Sequence, residues 1–156
     1  RCAPGAGRFA CPRAERMRFI VVFDTNVLFS AIGWGGKPLA CLDLARSGAI
    51  EGATCAEILD ELRQILLNKT SLSVQQAEEI LHYLRAFLRV VRIPDTFTDA
   101  VVDTGDQKVL ECAFAARATH LITGDHKHLL PLQSYKGTMI VSPSEFLQIF
   151  LTSQRR

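Results

Sequence analysis

Strand-length apolar runs alternate along this chain with segments whose apolar residues recur at helical spacing, and this alternation most limits the fold. Residues 18 to 23, RFIVVF, are apolar and β-branched with no polar alternation, as in a strand buried on both faces. The stretch that follows, holding Gly33, Gly35, Gly36 and Pro38, reads as a loop, and PLACLDLARSG then reads as a helix stopping at Gly48. Residues 50 to 53 form a weaker strand candidate. In TCAEILDELRQILL, Thr54 and Glu57 have capping-box spacing and Ile58, Leu62, Ile65 and Leu66 make an apolar stripe. Ser73 with Gln76 opens another helix to about Phe87, and residues 88 to 93 read as a strand. A helix over 106 to 117, strands over 120 to 123 and 138 to 141, and a helix opened by Ser142, Pro143 and Glu145 complete the series. Such a succession predicts an α/β domain with a parallel sheet covered on both faces.

The length of 156 residues suits one domain with a full hydrophobic core, and the 48% apolar and 22% charged fractions are those of a globular protein. We expect the domain to occupy residues 17 to 151, with a Gly, Pro, Ala and Arg-rich extension at 1 to 16 and a short tail at 152 to 156. That extension lacks the apolar region of a secretory signal. The five cysteines, at 2, 11, 41, 55 and 112, form no C-x-x-C pair, and their odd, scattered placement suggests a reducing compartment. No apolar run reaches the roughly 18 residues of a membrane span, so a soluble cytoplasmic protein is expected. A net charge of +2 neither demands nor excludes a polyanionic partner.

The distribution of acids says more. In an open parallel sheet, sites form beyond the carboxyl ends of strands. Here one strand runs into Asp24 and another into Gly124 and Asp125. Either acid alone could cap a turn or helix; the two together favour a site. Glu61 lies one turn beyond Glu57 on roughly the same side of its helix, whereas Asp60 diverges by about 100° and should be solvated. Asp103 and Asp106 could be helix-start acids or could join the other carboxylates. Three or four crowded carboxylates repel one another unless a cation neutralises them. Oxygen donors without a His/Cys set select Mg2+ or Mn2+, ions that bind phosphate oxygens and activate water for in-line attack on phosphorus. Asn26 and Thr123 adjoin the strand-end acids and could hold a carboxylate or water, or only a turn. Lys37, His126, Lys127 and His128 could meet phosphates or be solvated. Trp34 could stack on a base or anchor its loop.

The segments VVFDTNVLFSAI, EILDELRQIL, DTGDQKVLECAFAARATHLITGD and IVSPSEFL, in this order and spacing, resemble the PIN domain family, and in particular its stand-alone bacterial or archaeal toxin members. The resemblance spans roughly residues 18 to 151. It implies a three-layer α/β/α sandwich with a central, mainly parallel sheet, and divalent-metal-dependent ribonuclease activity. It also implies an RNA substrate, an antitoxin partner and self-association. By matching motifs, Asp24, Glu61, Asp106 and Asp125 are similar to the family's four catalytic, metal-holding acids, Thr123 to its hydroxyl residue and Asn26 to its polar partner, with Asp103 in support. Related chains often read D-P-D-D where this one has Asp103-Thr104-Gly105-Asp106, and His128 replaces an acid common after T-G-D. A DNA-directed nuclease and a non-catalytic nucleic-acid- or partner-binding domain remain as alternatives. A phosphatase of the haloacid dehalogenase type is disfavoured because position 26 is Asn where a second acid is needed.

Overall fold

The computed structural model describes residues 18–94 and 104–155. The extension expected over residues 1 to 16 and the acid Asp103 lie outside the described residues. Strands β1 (Ile20–Phe23), β2 (Glu51–Cys55), β3 (Leu88–Val91), β4 (His120–Ile122), β5 (Ser134–Tyr135) and β6 (Thr138–Val141) form one sheet in the order β3-β2-β1-β4-β6-β5. The pairs β1/β2, β1/β4, β2/β3 and β4/β6 are parallel, and β5/β6 is antiparallel. The helices are α1 (Thr25–Gly33), α2 (Gly36–Arg46), α3 (Ala56–Lys69), α4 (Val74–Arg85), α5 (Thr104–Ala116) and α6 (Pro143–Gln154). The last of these continues past residue 151.

The chain is a three-layer α/β/α sandwich, as expected. Successive strand residues point to opposite faces, and Val21, Val22 and Phe23 are all buried, so β1 is covered on both sides. Helix α5 packs on β1 through β4, while α2 and α6 pack on each other and reach β2, β4 and β6. The sheet grows from β1 toward β3 on one side and from β4 toward β5 on the other, which puts the change of direction between β1 and β4. A crevice beyond their carboxyl ends is where an α/β sheet of this kind builds a site.

Local structure departs from the sequence expectations in three places. The stretch after Asp24 is not a loop: α1 begins at Thr25, with Val27, Leu28 and Ala31 buried at helical spacing. The glycines that suggested a loop act at its end, where Gly35 and Gly36, with φ of 77° and 67°, turn the chain into α2. The Thr54/Glu57 capping box does not form. Strand β2 runs on to Cys55, pairing Thr54 with Val90 and Cys55 with Val91, so α3 starts at Ala56 without a side-chain cap. A cap is worth about 1 kcal/mol, whereas each fully buried Leu or Ile contributes about 1.5–3 kcal/mol. The buried Ile58, Leu59, Leu62 and Leu66 therefore hold α3 without one. The third departure is β5, whose two residues return against β6 through Lys136 and Gly137, both at positive φ (48° and 90°) as a tight hairpin demands. The capping boxes of Ser73 with Gln76 and of Ser142 with Glu145 form as read from the sequence.

Candidate active site

Asp24 follows the last residue of β1, and its backbone N–H continues the ladder by donating to the Ile122 carbonyl at 2.9 Å. Thr123 stands in the equivalent place after β4, its N–H donating to the Val141 carbonyl at 3.0 Å. Adjacent strand ends thus bring these two side chains together. The Thr123 hydroxyl donates to Asp24 Oδ2 at 2.7 Å and accepts from the Asp125 backbone N–H at 3.0 Å. One fully buried hydroxyl fastens the first acid to the backbone that carries the fourth. Asp24 is the N-cap residue of α1 by position, yet its carboxylate makes no capping hydrogen bond, which removes the simplest structural reason for an acid there.

Burial raises the Asp24 carboxyl above the ordinary range; the Thr123 hydroxyl and the Thr25 backbone N–H oppose the shift, and the charges of Glu61 and Asp106 add to it. The acids of α3 and α5 are thus close enough to Asp24 to be felt. Glu61 is exposed on α3, and Thr25 Oγ1 donates to its Oε1 at 2.9 Å. Asp106 lies in the first turn of α5. Asp125 accepts at Oδ1 from the backbone N–H groups of Lys127 and His128, at 3.0 and 3.1 Å, which folds the following turn back over it. One ligand atom from each of Asp106, Asp125 and His128 lies within 4.8 Å of the others. Two carboxylates and an imidazole gathered so closely have the donor chemistry of a divalent-cation site.

The other residues singled out in the sequence are placed less centrally. Asn26 is exposed at the second position of α1, and its side chain makes no hydrogen bond to the described residues. Lys37, at the start of α2, donates from Nζ to Ser144 Oγ at 3.2 Å, so it sits at the α2/α6 junction. The side chain of Lys127 is exposed, as is that of His126, which lines a cavity of about 530 Å³ with Met139, Val141 and Glu145. Trp34 is 75% exposed and meets Phe29 edge to face at 5.3 Å between centroids. Sequence reasoning passed over Thr25, whose only signal was its place between Asp24 and Asn26. It also treated His128 as a phosphate contact or a lost acid, not as a neighbour of the acids.

A cavity of similar size at the amino ends of β1 to β3 is lined by Arg18, Glu51 and Arg89, and neither it nor the cavity beside His126 includes Asp24, Glu61, Asp106 or Asp125.

Residues 20–127, more than half of the chain, match the sequence profile of the PIN domain. The chain belongs to the PIN domain family. The match begins at β1 and runs through the turn after β4, so it takes in the four acids of this PIN domain. No curated protein matches the sequence. Among solved structures, a chain in the crystal structure of VapBC2 from Rickettsia felis bound to a DNA fragment from their promoter aligns with a TM-score of 0.58 and 18% identity, over 78% of this chain and 96% of that one. At that identity the likeness concerns the fold. Among the described residues, no helix of the PIN domain is long and apolar enough to cross a membrane.

Proposed function

We propose that this PIN domain is a divalent-metal-dependent endoribonuclease and the toxin component of a toxin–antitoxin pair. Asp24, Glu61, Asp106 and Asp125 hold Mg2+ or Mn2+. The observation that carries the reading is the shared Thr123 hydroxyl, which ties Asp24 to the Asp125 turn while Asp24 feels the charges of Glu61 and Asp106. Crowded, partly desolvated carboxylates stay ionised most readily against a cation. The ion, when bound, supplies Lewis acidity at a phosphate and at water. The chain's own residues do the remainder. Thr123 aims Asp24 and favours its ionised form against the effect of burial, Thr25 holds Glu61, and the amides of Lys127 and His128 orient Asp125. Asn26 and Asp103 support the acids, and Lys37, His126 and Lys127 meet phosphates further along the strand. The antitoxin rests on the likeness to the VapBC2 complex and on the sequence resemblance.

The deciding experiment is cleavage of mixed labelled RNAs and matched DNAs with Mn2+, with Mg2+ and with chelator, comparing wild type with Asp24→Asn. Metal-dependent RNA cleavage lost in the variant is the expected result. Cleavage confined to DNA would turn the reading to a DNA-directed nuclease. Nucleic-acid binding with neither cleavage nor metal binding would turn it to a non-catalytic binding domain.

A further inference from the structure

We propose that His128 is itself a ligand of this centre, so that Asp106, Asp125 and His128 form a mixed oxygen and nitrogen donor set that favours nitrogen-accepting transition ions over Mg2+. The inference rests on the metal-dependent reading above. His128 Nδ1 lies 3.5 Å from Asp125 Oδ2 and 3.9 Å from Asp106 Oδ2. The second distance is too long for a hydrogen bond and the first is at the limit of one, so the ring is not locked to either acid. Atoms bound at about 2.1 Å to one ion stand about 3.0 to 4.2 Å apart, and both distances fall within that span. The ring nitrogen thus stands at ligand-to-ligand distances from one oxygen of each carboxylate.

Backbone geometry explains why residue 128, and not its neighbours, is placed there. Asp125 commits Oδ1 to the amides of Lys127 and His128, which leaves Oδ2 toward the imidazole. The Leu130 N–H donates to the Asp125 carbonyl at 2.9 Å, and the intervening Leu129 is fully buried, so the turn is anchored just after the histidine. The His128 side chain is 59% exposed, so it is not a histidine packed into the core. Mg2+ takes oxygen ligands almost exclusively, whereas imidazole suits first-row transition ions. An imidazole also adds no negative charge of its own, so the set holds Mg2+ less tightly than three carboxylates would.

The test uses the full chain and Mn2+ as the probe, because Mn2+ is the weakest nitrogen binder of the first-row series and so the most demanding. Pulsed electron paramagnetic resonance of bound Mn2+ should show coupling to an imidazole nitrogen that is lost in His128→Ala and kept in His126→Ala. Titration should show Mn2+ binding at least tenfold weaker in His128→Ala, with Mg2+ binding changed less than threefold, and His128→Asp should reverse the preference toward Mg2+. Bound Mn2+ without nitrogen coupling, coupling that survives His128→Ala, or equal weakening for both ions would overturn the assignment and leave the nuclease reading standing. A wild-type protein that binds neither ion would overturn both.

Discussion

At the scale of single residues, the pair Asp24 and Thr123 carries the clearest consequences of the proposed centre. Burial raises the Asp24 carboxyl, so ionising it costs more in the folded chain than in the unfolded one. Stability of the metal-free protein must then fall as pH rises from the ordinary value of 3.8 through the raised folded value, and stay lowered above it. Asp24→Asn has no charge to bury. In chelator its melting temperature should exceed that of wild type at neutral pH, with the gap closing toward pH 4, while cleavage drops at least tenfold; a gap independent of pH would contradict the burial argument. Thr123→Val removes both the donor to Asp24 and the acceptor for the Asp125 N–H. Denaturant unfolding should show a loss of about 1–3 kcal/mol, with Thr123→Ser recovering most of it and most of the metal affinity.

At the scale of elements, two strand positions show how packing overrules local pattern. The Thr54 hydroxyl is buried and has no hydrogen-bond partner among the described residues, because β3 claims the backbone that a capping geometry would need. Thr54→Val should therefore raise unfolding free energy by about 1 kcal/mol, whereas a loss would mean that the hydroxyl has a partner after all. Gly52 on β2 is the reverse case. A Cβ there would stand 2.5 Å from Leu88 Cδ2 and 3.0 Å from Ala45 Cβ. Leucine can move, but Ala45 is fixed to α2, and Gly52→Ala should cost about 1–3 kcal/mol. The same contrast explains what was legible in the sequence. The strands before Asp24 and Asp125 were readable because an apolar run that stops at a carboxylate is a local signal. The boxes at Ser73 and Ser142 were readable because their bonds lie within four residues. Helix α1 was hidden by the glycines that end it. The roles of Thr25 and His128 depend on partners brought from α3 and α5, which no local pattern encodes.

At the scale of the whole molecule, an ion bound at the acids would join elements from both halves of the sheet, since β1 and β4 belong to opposite directions of growth. Ligand binding to the folded state alone stabilises by about 2.7 kcal/mol at a hundredfold excess over Kd. Saturating Mn2+ should accordingly raise the wild-type melting temperature by several degrees, and chelator should reverse it; in Asp24→Asn the rise should be much smaller. An equal rise in both proteins would place the ion elsewhere.

The hydrogen bond between Asp24 and Thr123 joins residues 99 apart in the chain. During synthesis at about 5–20 residues per second, Asp24 therefore precedes its partner by about 5 to 20 s. A ribosome-bound chain that has made β1 through β3 already carries Asp24 and Glu61, yet lacks Asp106, Thr123 and Asp125. A chain terminated anywhere between β3 and Asp106 would thus carry two of the acids proposed for the centre and none of the partners that hold them together.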